Sequence, residues 1–317
     1  MEYKNVLCFT YGVPGNREAA YSKKVAESLD FKWVFVQYSP EIWKKEWASI
    51  EAAEYRQLAS NHSSLPHPQD WPAVRQLLSH GIISSNAIVV PGHSGDFVAG
   101  SHIPSFVFTK DNHSEEELIQ SLIDGHFSNA PKVNTILQNY SILKERLIDR
   151  IGKPFEPTAI GFANSYELWD WQERQAKYIV NSVRVYDQFS LEWWMPFWDI
   201  EFVKFWQDTP LLLRKRREWY KNWIISFYAT QVKNRDEAKL MKNAGDYGPL
   251  KSLLLNIARL LPIGIKNLLK KWWRAKNLNQ HFLSFEGLVT SGSINDYTAK
   301  GYNIIGIYSA LFINKKW

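Results

Sequence analysis

Cysteine is nearly absent. Cys8 is the only one in 317 residues, which excludes an internal disulfide and any cysteine-built metal centre. Long hydrophobic runs are missing too: no stretch of 18 apolar residues exists, and Met1-Glu2-Tyr3-Lys4-Asn5 lacks the apolar core of an export signal. A cytoplasmic location is the simplest expectation. The eight histidines are scattered and none stands in a His-Glu-x-x-His pattern, so structural zinc is not expected.

Acidic residues are absent from 249–277. That segment holds Lys251, Arg259, Lys266, Lys270, Lys271, Arg274 and Lys276, seven basic residues in a chain whose whole net charge is +6. The remainder is close to neutral, so no nucleic-acid partner is expected. Leu253, Leu254, Ile257, Leu260 and Leu261 give one apolar stripe, and Ile265, Leu268, Leu269 and Trp272 another beyond Pro262. Two readings fit: core helices with solvated lysines, which the regular stripes favour, or interfacial helices. In either case the charge predicts weak, salt-sensitive association with anionic membranes.

What is present is globular in composition, 45% hydrophobic and 22% charged. Val6–Gly12 reads as a first strand, Arg17–Leu29 as a helix with Tyr21, Val25 and Leu29 on one stripe, and Trp33–Tyr38 as a second strand. Strand, helix, strand at this spacing is a βαβ unit with parallel strands. Ile42–Ser60 looks helical, and Ser114 to Glu117 forms a capping box. No internal repeat or low-complexity linker divides the chain. The division expected is an α/β nucleotide-binding part over 1–130 and a helical part of the same domain over 131–317.

The stretch from Ala87 to Pro104 organises this pattern. Ile88, Val89 and Val90 read as a strand buried on both faces, broken at Pro91-Gly92 and followed by Gly95, Asp96 and Gly100. Open α/β sheets bind ligands beyond the carboxyl ends of their strands. Glycines there let backbone N–H groups approach a phosphate, and an aspartate suits the Mg²⁺ that accompanies it. An ordinary strand-to-helix turn with a capping aspartate has the same spacing. The tryptophans Trp169, Trp171, Trp193, Trp194, Trp198 and Trp206 read as aromatic core packing. Arg214, Lys215, Arg216, Arg217 and Lys221 read as a solvated cationic face, with a pyrophosphate contact as the alternative.

Taken together, Phe9-Thr-Tyr-Gly12, Ser22-Lys-Lys-Val-Ala-Glu27, Pro91-Gly-His-Ser-Gly-Asp96, Asn181-Ser-Val-Arg-Val-Tyr186 and Glu192-Trp-Trp-Met-Pro-Phe-Trp-Asp199 occur in register. This set resembles the synthetase domain of the asparagine synthases, in the ATP-pyrophosphatase superfamily. It is most similar to the divergent branch found in bacterial surface-polysaccharide gene clusters. The resemblance runs from about residue 4 to about residue 225.

The fold it implies is α/β: a parallel-sheet nucleotide alpha-hydrolase-like (Rossmann-like) layer, here lacking its first strand, then a mainly helical C-terminal half. The reaction it implies is ATP-dependent: a carboxylate is adenylated with loss of pyrophosphate, and ammonia from glutamine then displaces AMP. By position, Tyr11 and Gly12 would border the adenine, and Gly92, Ser94 and Gly95 would lie against the nucleotide. Asp96 would hold Mg²⁺. His93, which stands where the family has a glutamate, and Glu192 would be catalytic, while Trp194 replaces the arginine of the Glu-x-Arg-x-Pro-x-x-Asp segment.

The family's phosphate loop, Ser-Gly-Gly-x-Asp-Ser, does not occur in the sequence, and neither does the N-terminal cysteine of the glutaminase domain. Two expectations follow. The chain is the amide-forming part of such an enzyme, acting on a small carboxylate with an upstream polypeptide that carries the loop and the glutaminase. Alternatively, it is a non-catalytic remnant or binding subunit.

Overall fold

The computed structural model describes residues 5–61, 64–127, 139–231 and 291–314, together with Tyr3, Asn129 and Ile265. The segment 249–277, apart from Ile265, lies outside the described residues. The protein is α/β and mostly helical, with short parallel strand pairs. Its contacts divide it into two units. One comprises Met1–Ala48, Asn222–Lys300 and Lys316–Trp317; the other comprises Ser49–Lys221 and Gly301–Lys315.

The first unit holds the βαβ element. Strand β1 (Leu7–Gly12) pairs in parallel with β2 (Lys32–Gln37) over six residue pairs, from Leu7 opposite Lys32 to Gly12 opposite Gln37. Helix α1 (Arg17–Ser28) makes the crossover, and the Asn16 side chain caps it by accepting from the Ala19 N–H at 2.7 Å. Gly12 has φ +136°, a conformation that favours glycine, and its carbonyl accepts from Tyr38 N–H at 2.8 Å, extending the ladder by one bond. Three side chains tie helix to strands: Thr10 Oγ1 donates to Ser22 Oγ (2.7 Å), and Trp33 Nε1 donates to the same oxygen (3.1 Å).

The helix expected over Ile42–Ser60 is two helices: α2 (Pro40–Trp47), which belongs to the first unit, and α3 (Ile50–Ser60), which opens the second. Ser49 separates them because its side chain accepts from Ala52 N–H at 3.2 Å, starting a new helix there. Helices α4 (Trp71–Ser79), α6 (Glu115–His126), α7 (Tyr140–Ile151), α8 (Ala159–Asp170) and α9 (Arg184–Gln188) follow, with the four-residue α5 (Gly95–Val98) between α4 and α6. The capping box at Ser114 and Glu117 is present on α6. Val107, Leu118, Ile119, Leu122 and Phe162, all at most 1% exposed, form the centre of this unit's core.

The third strand corrects the expectation most. β3 is Ile88–Val89 alone, and it pairs in parallel with β4 (Glu192–Trp193), not with β1 or β2. Nor is it buried on both faces: Ile88 is 60% exposed and Val90 54%. Pro91 has no N–H to continue the ladder, so the strand stops after two residues, with one neighbour among the described residues instead of two. The three-stranded layer is therefore replaced by two separate pairs.

Candidate functional site

Parallel pairing fixes where the loops emerge. β3 and β4 run in the same direction, so the segments leaving their carboxyl ends, Pro91–Asp96 and Trp194–Asp199, start from one edge. Trp194 N–H donates to Val89 O at 2.9 Å and holds the second segment in register. The two then touch: a Cβ on Gly95 would stand 2.8 Å from the Phe197 ring. Only a glycine allows that approach. Asp199 closes its segment by capping α10 (Ile200–Asp208), accepting from Glu201 N–H (2.9 Å) and Phe202 N–H (3.3 Å).

The candidates in the first loop divide between two sides. Gly92 and Asp96 are exposed, whereas Ser94 and Gly95 are buried. Ser94 takes the left-handed conformation, φ +65°, and its hydroxyl donates inward to Gln175 Oε1 at 2.8 Å. His93 is half-buried and meets the Ser182 hydroxyl through Nε2. Burial pushes its pKa down, only partly offset by Asp70, so its imidazole is neutral near pH 7. Glu192 lies exposed on β4, opposite Ile88. Tyr11 and Gly12 belong to the first unit, where Tyr11 stacks on Tyr38 at 5.2 Å.

Beneath the loop stands a group of residues that no motif marks. Asp170, fully buried, accepts a 2.5 Å contact from His102 Nδ1 and a 3.4 Å bond from Gln175 Nε2, and Arg174 lies 4.0 Å away. A π-helix over Trp171–Ile179 makes this convergence possible. Its wider turn brings residues four and five places on to one face, so Arg174 and Gln175 both reach Asp170. His102 in turn points Nε2 toward the Asp96 carboxylate at 3.9 Å. A carboxylate on Nδ1 selects the tautomer that leaves Nε2 as the basic nitrogen. One ring nitrogen is thus anchored on a buried acid, while the other lies 3.3 Å from Arg174 Nη1 and 3.9 Å from Asp96.

Charge around Asp96 is mixed. Ser101 Oγ donates to Oδ2 at 3.0 Å, and Arg217 lies 3.9 Å from the same oxygen. Mg²⁺ bound beside substrate phosphates takes one or two carboxylates. Asp96 offers one carboxylate of that kind. Among the described residues no group of three His, Cys, Asp or Glu could hold a metal ion.

Arg214 corrects the reading of the basic run as solvated. It is 7% exposed, donates to Val98 O at 3.3 Å and pairs with Glu167 at 2.5 Å. Desolvation nevertheless raises the Glu167 pKa to about 7, against the pull of Arg214. Among the tryptophans, Trp169 and Trp206 are buried, and Trp171 packs on Trp198 at 4.3 Å, while Trp193 and Trp194 are exposed. Among the described residues no helix is long and apolar enough to cross a membrane. No protein-family model matches the chain, and no curated protein or solved structure matches it either.

Proposed function

We propose that the chain is an asparagine-synthase-like, ATP-dependent amide-forming ligase, with the loop Pro91–Asp96 as its phosphate-facing segment. One observation carries the reading. Two of the five segments that give the sequence its resemblance, about a hundred residues apart, leave one edge of a parallel strand pair and pack through Gly95 on Phe197. Ligand sites of α/β proteins form at such carboxyl edges.

In this reading Gly92 and Asp96, the exposed members, face the nucleotide, and Asp96 holds Mg²⁺ on the leaving pyrophosphate. Ser94 and Gly95 shape the turn from inside. The carboxylate oxygen of the acceptor attacks the α-phosphorus and pyrophosphate leaves. Ammonia then attacks the acyl carbon and AMP leaves. His102, anchored by Asp170, accepts the proton that the attacking nitrogen sheds, while His93 positions Ser182. In this reading the triphosphate cradle and the glutaminase are supplied from outside residues 1–317. The segment 249–277 adds weak binding to anionic membranes, which vesicle flotation at low and physiological salt tests.

A second reading, a nucleotide-binding subunit without catalysis, is favoured by the lack of a Ser-Gly-Gly-x-Asp-Ser loop. Calorimetric titration with ATP, with and without Mg²⁺, tests what the two share. Binding that needs Mg²⁺ and weakens about tenfold in Asp96→Asn is expected; no binding of MgATP overturns both. ATP–pyrophosphate exchange with aspartate separates them. The chain alone is expected to give none. Exchange that appears only with the loop-bearing polypeptide, and that His102→Asn leaves intact while losing amide formation, supports the ligase.

A further inference from the structure

We propose that a cavity behind the loop helix α5 is a second ligand site, and that it takes a small aromatic carboxylate. It measures about 410 Å³, within the range of small-molecule sites. Its walls come from α5, α8, the π-helix, α10 and α11 (Leu211–Arg214). Phe97, Trp171 and Trp206 give it aromatic surface, suited to a flat apolar body.

Its polar chemistry is one-sided. Glu167, the one carboxylate of the lining, is engaged by Arg214 at 2.5 Å. Lys153 has no carboxylate within ion-pair distance among the described residues, so the lining carries a surplus positive charge. Asn164 and Gln207, both exposed at the rim, add amide groups. The buried nitrogens in the lining residues that lack a hydrogen-bond partner, Trp206 Nε1 and Arg214 Nε, are both donors. An aromatic body with an anionic, acceptor-only head answers each of these features. The site does not depend on the ligase reading, because none of its lining residues has a role in that chemistry.

Calorimetry of the full chain with 2-naphthoate and with neutral 2-naphthamide tests it, since the two differ little except in charge. Naphthoate is expected to bind about tenfold more tightly. Lys153→Met should weaken naphthoate about threefold and leave naphthamide unchanged. Asn164→Trp, an exposed position where an indole closes the mouth, should abolish binding of both. Saturating MgATP should not alter the naphthoate affinity. Circular dichroism and melting curves like those of the wild type establish that each variant is folded. Absence of naphthoate binding at millimolar concentration, equal affinity for the two probes, unchanged binding in folded Asn164→Trp, or competition by MgATP overturns the proposal.

Discussion

The two parallel strand pairs reach similar geometry by different means. β1 and β2 share six residue pairs and a crossover helix, so backbone hydrogen bonds alone fix their register. β3 and β4 share two, and join positions about a hundred residues apart. So short a ladder cannot hold a loop in place. The work falls to buried side chains: Ser94 on Gln175, Gln175 and His102 on Asp170, and Gly95 against Phe197. A backbone-held pair tolerates loss of one side chain, whereas a side-chain-held one is exposed at every member of its network.

The largest effect should come from Asp170→Ala. It leaves His102 and Gln175 without their shared acceptor, and each buried polar group left unpaired costs about 1–3 kcal/mol, so a total of about 4 kcal/mol is expected. Urea unfolding measures it; a loss near 1 kcal/mol would mean that the backbone holds the loop after all.

Next is the pH dependence of Glu167. Its folded pKa, about 7, lies above the ordinary glutamate value of about 4.3. The folded protein therefore keeps this proton more tightly than the unfolded chain. Its contribution is fully present below about pH 4.3 and is lost as pH rises through about 7, a swing of about 4 kcal/mol. His126, held near pKa 4 by burial, titrates in the opposite sense over much of the same window. The difference between wild type and Glu167→Gln isolates the glutamate: the variant should lack this decline, and parallel stability curves would remove Glu167 as its source.

Gly95→Ala should cost about 2 kcal/mol through its overlap with Phe197. A second change, Phe197→Ala, should recover part of that loss. Additive losses in a double-mutant cycle would show that the two loops are not in contact. The smallest effect is in the backbone-held pair. Thr10→Ala removes the bond to Ser22 and should cost about 1 kcal/mol in the same unfolding assay. A cost above that of Asp170→Ala would invert the comparison.

The same contrast explains what the sequence discloses. Local features read correctly: β1, α1 and β2 follow from short runs that end at a glycine turn and from an apolar stripe at four-residue spacing, and the Ser114 capping box from its own four residues. The break at Ser49 was legible as a capping residue, though the apolar pattern runs through it. Pairing across a hundred residues left no local mark, and Ile88-Val-Val90 looks the same whether it has one neighbour or two. In the candidate site, motif spacing drew attention to the loop itself. Asp170, Arg174 and Gln175 carry no such spacing: the pair four places apart looks like any helical ion pair, and Gln175, five places on, reaches Asp170 only in a π-helix. An Asp followed by Arg and Gln four and five places on was the available signal. Arg214 was hidden by its cationic neighbours, which suggested a surface its burial contradicts.

The π-helix also makes the protein sensitive to chain length. In an α-helix each residue turns the chain by about 100°, so a deletion swings everything beyond it around the axis. Removing one residue between Trp171 and Gln175 would move Arg174, Gln175 or both from Asp170, although every interacting residue type would survive. Substitutions change this network one contact at a time; a single-codon deletion would reset it at once. Descendants of this chain are therefore free to vary the identity of exposed residues along 171–179, but not their number.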